Sequence, residues 1–261
     1  MRTMWRLVGL MAIVVLAGRL ALAAKPSASR EPYGADTAQV VLTPGEHPTT
    51  AFVAYPGGTQ AASGIIVVHE WWGSNGQIRG IARRLARQGY VAIVPDLYHG
   101  KVTDDPEEAH ELSRGLEDAP ALADLQAART WLRGQPRTAK SRIGVVGFCM
   151  GGRLSELLAL DNADLSAVVM FYGPPETDPQ RLAALHAPLQ GHFGADDQGI
   201  TADRVDALRA GLASASKPAE IYVYPGAGHA FMHDGRSSFR PDAARQAWSR
   251  MLAFLQKNLK G

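Results

Sequence analysis

The chain has a single cysteine, Cys149, in 261 residues, and this scarcity limits how the fold can be stabilised. An internal disulfide needs two thiols, so the protein must be held together by its hydrophobic core. A lone cysteine is commonly a small buried hydrophobe, and the count alone favours that interpretation. The residues around Cys149 favour a chemical role instead.

The chain also lacks a run of basic residues. It has 27 Lys and Arg against 25 Asp and Glu, a formal net charge of +2, and its basic residues are not clustered as in nucleic-acid-binding proteins. Six histidines lack the paired spacing of metal ligands: His69, His99, His110, His186, His192 and His233. We therefore expect no nucleic-acid partner, no metal and no cofactor. The protein should be a monomer or weak oligomer.

Only one long apolar run occurs, and it lies near the start of the chain. Two arginines precede the run at residues 7–18, and Ala21-Leu22-Ala23 follows as a small-x-small cleavage site. This pattern predicts a secretory signal peptide over residues 1–24 and a periplasmic or secreted protein. The alternative is an uncleaved anchor, which Arg19 disfavours because it interrupts the run before the ~20 apolar residues of a bilayer span. No stable membrane association is expected after cleavage.

The remaining pattern predicts one α/β domain. Residues 25–37 form a Pro/Ser/Ala-rich linker, and residues 38–261 suffice for one core but are too few for two α/β domains. Two short strands joined by a Pro44-Gly45 turn predict an antiparallel start. From Gly64 onward, β-branched runs alternate with helical segments, which indicates β-α-β units and a mostly parallel central sheet with helices on both faces.

The predicted strands are 38–42, 50–55, 64–69, 91–94, 143–147, 167–171, 188–193 and 220–224. The predicted helices are 77–88, 120–133, 151–160, 203–213 and 241–258, and a short helix within 104–116 crosses the carboxyl edge of the sheet.

The segment Gly147-Phe148-Cys149-Met150-Gly151 joins a predicted strand directly to a predicted helix. It has the form of a nucleophile elbow, Gly-x-Cys-x-Gly, in which cysteine takes the usual place of serine. Gly147 and Gly151 leave room where a Cβ would clash in so sharp a turn. The turn also places the thiol at a helix N-terminus, an environment that favours the thiolate. Cys149 is therefore the candidate nucleophile.

A nucleophilic thiol needs a base and an acid that orients the base. His229 lies in a glycine-rich loop after the last predicted strand, and Asp196 follows the strand before it. The order nucleophile, acid, histidine is that of the α/β-hydrolase fold. We predict His229 as base and Asp196 as acid. The adjacent Asp197 is the alternative acid, with Asp196 capping the next helix.

These residues resemble the dienelactone hydrolase family of α/β-hydrolases. The resemblance spans residues 40–259 and depends on four segments: His69-Glu70-Trp71-Trp72-Gly73, Pro95-Asp96-Leu97-Tyr98, Gly147-Phe148-Cys149-Met150-Gly151-Gly152 and Gly228-His229-Ala230-Phe231. It implies the α/β-hydrolase fold and the hydrolysis of a small ester or lactone.

The resemblance also implies further site residues. Glu70 matches a glutamate that lies beside the nucleophile, interacts with it at rest and helps form the thiolate. A neighbouring carboxylate would keep the thiol protonated and less prone to oxidation. The oxyanion hole would be the backbone N–H groups of Met150 and Trp71. The implied substrate pocket contains Trp72, Tyr98, Phe231 and His233.

One departure affects the expected substrate. Family enzymes acting on dienelactone hold its carboxylate with two arginines, and this chain has Gly100 and His233 at those positions. Lys101 or a protonated His233 can supply part of that charge, but neither offers the planar two-donor fork of arginine. The alternative to an ester or lactone hydrolase is a catalytically silent α/β-hydrolase that binds a ligand or senses redox conditions through Cys149.

Overall fold

The computed structural model describes residues 29–30, 36–43, 48–138 and 141–260. The predicted signal peptide, most of the predicted linker and the Pro44-Gly45 turn lie outside these residues and stay predictions. Within the described part of the chain, no helix has both the length and the apolar character needed to span a membrane.

The described residues contain one twisted sheet of nine strands in the order β1-β2-β3-β5-β4-β6-β7-β8-β9. The first three strands pair antiparallel, β3 pairs antiparallel with β5, and the six strands from β5 to β9 are parallel. The strands are β1 (Ser29–Arg30), β2 (Asp36–Leu42), β3 (Thr49–Tyr55), β4 (Gly64–Val68), β5 (Val91–Pro95), β6 (Ile143–Phe148), β7 (Ala167–Phe171), β8 (Leu189–Gly194) and β9 (Ala219–Tyr224).

The described residues also form seven helices. They are α1 (Gly76–Arg87), α2 (Pro106–Gly115), α3 (Asp118–Gly134), α4 (Met150–Leu160), α5 (Pro179–Leu182), α6 (Ala202–Ser214) and α7 (Pro241–Leu259). Apolar side chains of α1 and α7 pack on one face, and those of α3, α4 and α6 pack on the other. The central strands are buried on both sides, as β4 shows with five buried residues in Gly-Ile-Ile-Val-Val. The predicted α/β-hydrolase architecture is confirmed.

Two elements differ from the sequence-based expectation. Ser29–Arg30 falls in the predicted linker but pairs with β2, so the sheet begins earlier than residue 38. The four-residue helix α5 was not predicted, because one turn is too short to show helical periodicity. The predicted excursion forms helix α2, which the Asp105 side chain caps by accepting from the N–H groups of Glu107 and Glu108.

Candidate active site

Cys149 lies in the sharp turn between β6 and α4, as the elbow pattern predicts. Its backbone adopts φ 54° and ψ −120°, a conformation that L-residues rarely take. The Cys149 N–H donates to the carbonyl of Phe171 at 2.9 Å, and the Cys149 carbonyl accepts from the N–H of Gly152 at 2.9 Å. Both neighbouring chain segments therefore hold the strained turn that projects the thiol beyond the carboxyl ends of the parallel strands.

The elbow glycines leave no space for a side chain. A Cβ on Gly151 would lie 2.5 Å from the carbonyl oxygens of Val68 and His69, and a Cβ on Gly147 would collide with the carbonyl of Gly151. Helix α4 therefore begins in direct contact with the end of β4. This packing gives the physical reason for both glycines.

His229 reaches Cys149 from the loop that follows β9. Its Nε2 atom lies 3.2 Å from the Cys149 sulfur, within hydrogen-bond reach for a base and a thiol. The imidazole stays 40% exposed at the floor of a cavity. The two residues are 80 positions apart in sequence, and the fold brings them together as predicted.

The carboxylate that contacts His229 belongs to Asp197, so the placement of Asp196 against the histidine is wrong. Asp197 Oδ2 lies 2.8 Å from His229 Nδ1, and Asp197 Oδ1 accepts from the N–H groups of Gly199 and Ile200 at 2.8 and 3.0 Å. The Asp196 side chain is exposed, and its backbone N–H donates to Ala227. The turn after β8 thus directs the second of two adjacent carboxylates inward.

The charges of Asp197 and His229 stabilise each other. Burial alone would raise the pKa of Asp197, but hydrogen bonds from His229 and from the N–H groups of Ile200 and Gly199 hold it below its ordinary value. Burial alone would lower the pKa of His229, but the hydrogen bonds with Asp197 and Cys149 raise it to about 10. The site therefore favours an imidazolium once the thiol has given up its proton.

Glu70 lies just after β4 and its hydrogen bond is with Tyr172, not with Cys149. The Tyr172 hydroxyl donates to Glu70 Oε1 at 2.9 Å, and the Tyr172 ring packs edge-on against His229. The resting contact expected between Glu70 and the thiol is absent among these described residues, because the sulfur faces His229. Burial raises the pKa of Glu70 to about 7, although the Tyr172 hydrogen bond opposes this. Tyr172 was not singled out from the sequence.

His233 faces the other oxygen of Glu70. Its Nδ1 accepts from the Gly235 N–H at 3.3 Å, so the neutral ring carries its proton on Nε2, which lies 3.8 Å from Glu70 Oε2. Within the described part of the chain, neither Glu70 Oε2 nor His233 Nε2 has a hydrogen-bond partner. His233 thus adjoins the glutamate instead of lining the cavity at Cys149.

Met150 and Trp71 are the residues whose backbone N–H groups are predicted to form the oxyanion hole. Met150 is the first residue of α4, where an N–H group has no partner within the helix. Trp71 lies in the turn that follows β4, the strand beside β6. Both backbones therefore lie at the sheet edge that carries Cys149.

A cavity of about 360 Å³ opens at Cys149 and His229. Its other lining residues are Ser113, Leu116, Asp118, Met150, Arg153, Leu154, Pro174, Gly199 and Ile200. None of the four predicted pocket residues is among those lining it. Phe231 is fully buried against Tyr172 and Tyr224, and Trp72 lies under the Arg236 guanidinium. The buried Tyr98 donates its hydroxyl to the Met150 sulfur, and His233 adjoins Glu70.

Side chains from α2, α3 and α4 contribute to the cavity wall in place of the predicted residues. Sequence analysis missed Arg153 and Asp118, although Arg153 follows Cys149 by four residues and so lies one helical turn away on the same face of α4. This four-residue spacing is the feature of the sequence from which Arg153 could have been predicted as a site residue. Among the described residues, no group of three or more His, Cys, Asp or Glu side chains is arranged to bind a metal.

A cysteine on a strained elbow, a histidine after the last strand and a carboxylate after the preceding strand define an α/β-hydrolase site. The sequence model of the dienelactone hydrolase family matches residues 49–259. The chain belongs to this family and is an ester or lactone hydrolase by class.

Individual relatives show the same similarity. A "Putative carboxymethylenebutenolidase" of Methylorubrum extorquens is 33% identical over 255 residues, covering 90% of this chain and 88% of that protein. An Escherichia coli protein of the same name is 37% identical over 207 residues, covering 74% of this chain and 76% of that protein. The crystal structure of a "Putative Dienelactone Hydrolase" from Klebsiella pneumoniae is 34% identical, with a TM-score of 0.76, and covers 85% of this chain and 99% of that one.

Proposed function

We propose that the protein hydrolyses a small ester or lactone through a Cys149–His229–Asp197 triad. The observation that supports this most directly is the position of the His229 ring, whose two nitrogens lie 3.2 Å from the thiol sulfur and 2.8 Å from a buried carboxylate. Asp197 fixes the ring so that Nε2 faces the sulfur. An incidental loop histidine would not need both contacts.

In the first half of the proposed reaction, His229 Nε2 takes the thiol proton and the Cys149 sulfur attacks the substrate carbonyl. The carbonyl electron pair moves to its oxygen, which the N–H groups of Met150 and Trp71 stabilise. When the tetrahedral intermediate collapses, the bond to the leaving oxygen breaks and that oxygen takes the proton from His229. The acyl group is then joined to sulfur as a thioester.

In the second half, His229 accepts a proton from water, and the resulting hydroxide attacks the thioester carbonyl. Collapse of this intermediate breaks the carbon–sulfur bond and releases the carboxylic acid, and the thiolate regains its proton from His229. Esters and lactones suit this chemistry better than amides, because a thiolate leaves more readily than an unprotonated amide nitrogen.

We assign Glu70 a supporting electrostatic role. Its pKa of about 7 means that small changes around it alter its charge near neutral pH. When ionised, it stabilises the His229 cation, and when protonated it no longer does so.

The related proteins' names include carboxymethylenebutenolidase, yet the two arginine positions of this chain argue for a different acyl group. Gly100 adopts φ 100°, which an arginine would take only with strain, and its N–H donates to Asp96 Oδ2 at 2.7 Å. His233 is buried beside Glu70 and does not line the cavity. We therefore propose that esters and lactones without a free carboxylate are the preferred substrates.

The test is hydrolysis of p-nitrophenyl acetate by the wild type and by Cys149→Ala. We expect the wild type to show a burst of p-nitrophenol, as an acyl-enzyme accumulates, and Cys149→Ala to lose turnover while keeping the wild-type circular dichroism spectrum. Because the chain has no other cysteine, one equivalent of iodoacetamide should inactivate the wild type and leave Cys149→Ala unmodified. Near-normal turnover by a folded Cys149→Ala variant would exclude the triad. A wild type with neither burst nor turnover would support the catalytically silent alternative.

A further inference from the structure

An arginine and an aspartate line the cavity that opens at Cys149. Arg153 lies one turn into α4, and its Nη1 donates to Asp118 Oδ2 at 2.9 Å while Nη2 contacts Asp118 Oδ1. This is a bidentate pair, the geometry in which a guanidinium binds a carboxylate best. The two side chains are 34% and 49% exposed, so a ligand in the cavity can reach them.

The rest of the cavity wall is largely apolar. Leu116, Met150, Leu154, Pro174 and Ile200 line it, and apart from the pair and His229 none of the lining residues that the structure describes is charged. Among these residues the guanidinium is therefore the one permanent positive charge on the wall, and Asp118 neutralises it. Hydrogen bonding by Arg153 holds the pKa of Asp118 below its ordinary value, so the carboxylate remains ionised at neutral pH.

Asp118 and His229 come from chain segments on opposite sides of the Cys149 strand, β6. His229, which must protonate the leaving oxygen, comes from the loop after β9, at one end of the sheet. Asp118 begins α3, which connects β5 to β6 and packs against β2, β4 and β5 on the opposite side of the Cys149 strand. A substrate whose leaving group faces His229 therefore directs its acyl arm toward Arg153 and Asp118.

We propose that the Arg153–Asp118 pair determines acyl specificity: Asp118 occupies the guanidinium that would otherwise bind a carboxylate on the acyl arm, so the cavity selects uncharged acyl groups. A substrate carboxylate would have to displace a partner that belongs to the same chain and loses no translational freedom on binding. It would also face the charge of Asp118. This inference rests on the proposed hydrolysis and assigns the substrate class of the same site.

The test compares two aryl esters with acyl chains of similar length, p-nitrophenyl hexanoate and the mono-p-nitrophenyl ester of adipic acid, which carries a terminal carboxylate. The wild type should prefer the hexanoate. Asp118→Asn frees the guanidinium of its opposing charge and should raise the adipate-to-hexanoate ratio of kcat/KM by roughly tenfold to a hundredfold, the range of a charge-assisted hydrogen bond. The double variant Asp118→Asn with Arg153→Gln should lose this gain.

A matched control is Asp164→Asn. Asp164 also pairs with an arginine, Arg129, but it precedes β7 at the amino edge of the sheet, away from Cys149. Asp164→Asn should leave the adipate-to-hexanoate ratio of kcat/KM unchanged. An unchanged ratio in folded Asp118→Asn, or a gain that persists in the double variant, would overturn the assignment.

A binding measurement separates this inference from the proposed reaction. Hexanamide and adipic acid monoamide are resistant analogues, and each can be measured as a protectant of Cys149 against iodoacetamide. Asp118→Asn should shift relative protection toward the monoamide by the same tenfold or more. If the wild type hydrolyses neither ester but protection shifts, the proposed function fails and the specificity assignment holds. If the esters are hydrolysed but Asp118→Asn changes neither the kcat/KM ratio nor the relative protection of Cys149, the proposed function holds and the specificity assignment fails.

Discussion

Replacing Asp197 by asparagine removes the negative charge beside His229 and keeps the shape of the side chain. The asparagine oxygen can still accept from the N–H groups of Gly199 and Ile200, which Asp197 Oδ1 accepts now. Its NH₂ group then faces His229 Nδ1, where Oδ2 lies 2.8 Å away in the wild type. A donor at that position forces the imidazole proton onto Nε2, which can then no longer take the proton of Cys149.

The expected loss follows from this change of tautomer. Replacing the orienting carboxylate of a hydrolytic triad by an amide costs about 10⁴ in kcat, and we expect kcat/KM to fall on the order of 10³ to 10⁴ for Asp197→Asn. The matched control is Asp196→Asn, one residue earlier. Asp196 is exposed, so this variant should stay within about twofold of the wild type.

The assay is steady-state release of p-nitrophenol from p-nitrophenyl acetate, with thermal unfolding measured on both variants to confirm that each is folded. The pair of variants carries the same chemical change at adjacent positions, so general effects of losing one acidic residue cancel. Equal losses in the two variants, or the larger loss at Asp196, would refute the assignment of Asp197 as the orienting acid.

Two further predictions concern stability. Burial raises the pKa of Glu156 to about 8 from an ordinary 4.5, so ionising it opposes folding and wild-type stability falls as pH rises through this window. Glu156→Gln should therefore exceed the wild type by about 3 kcal/mol at pH 7 and match it near pH 4.5 in urea titrations, and a pH-independent difference would contradict this. Gly151→Ala should destabilise the protein by more than about 4 kcal/mol, because its Cβ would meet two carbonyl oxygens at 2.5 Å. Gly80→Ala, where no heavy atom lies within 4 Å of the new Cβ, should be neutral or stabilising, and equal melting temperatures for the two alanine variants would refute the steric argument.

The sequence predicted the parts of the site that depend on local pattern. The elbow around Cys149 is recognisable because a β-branched strand, two sterically required glycines and a helix follow one another without a gap. His229 could be placed because a histidine in a glycine-rich loop after the last strand must lie at the carboxyl edge of the sheet. Both predictions needed only the order of elements, which buried parallel strands reveal well.

The choice between Asp196 and Asp197 required backbone geometry that the sequence does not contain. In the turn after β8, the Asp196 N–H donates to Ala227 and the Asp197 N–H to Gly194, and these bonds direct one side chain outward and the other inward. If the turn were shifted by one residue along the chain, Asp196 would point inward and Asp197 would point outward. Two adjacent identical residue types leave no compositional signal to decide it.

The cavity wall was missed for a different reason. Trp72, Tyr98 and Phe231 were assigned to the pocket from the family resemblance, but large aromatic side chains also fill cores, and these three are buried. Arg153 and Asp118 meet only because α4 packs against α3. Such contacts arise from the tertiary packing of helices far apart in sequence.

The division of the site between chain segments has an evolutionary consequence. All three proposed triad residues follow residue 148, whereas Ser113, Leu116 and Asp118 of the cavity wall come from the stretch between β5 and β6. Substitutions in that stretch, or its replacement by another segment, can change substrate specificity without altering the triad. Related proteins with this fold can therefore differ in substrate range while keeping the same three catalytic residues.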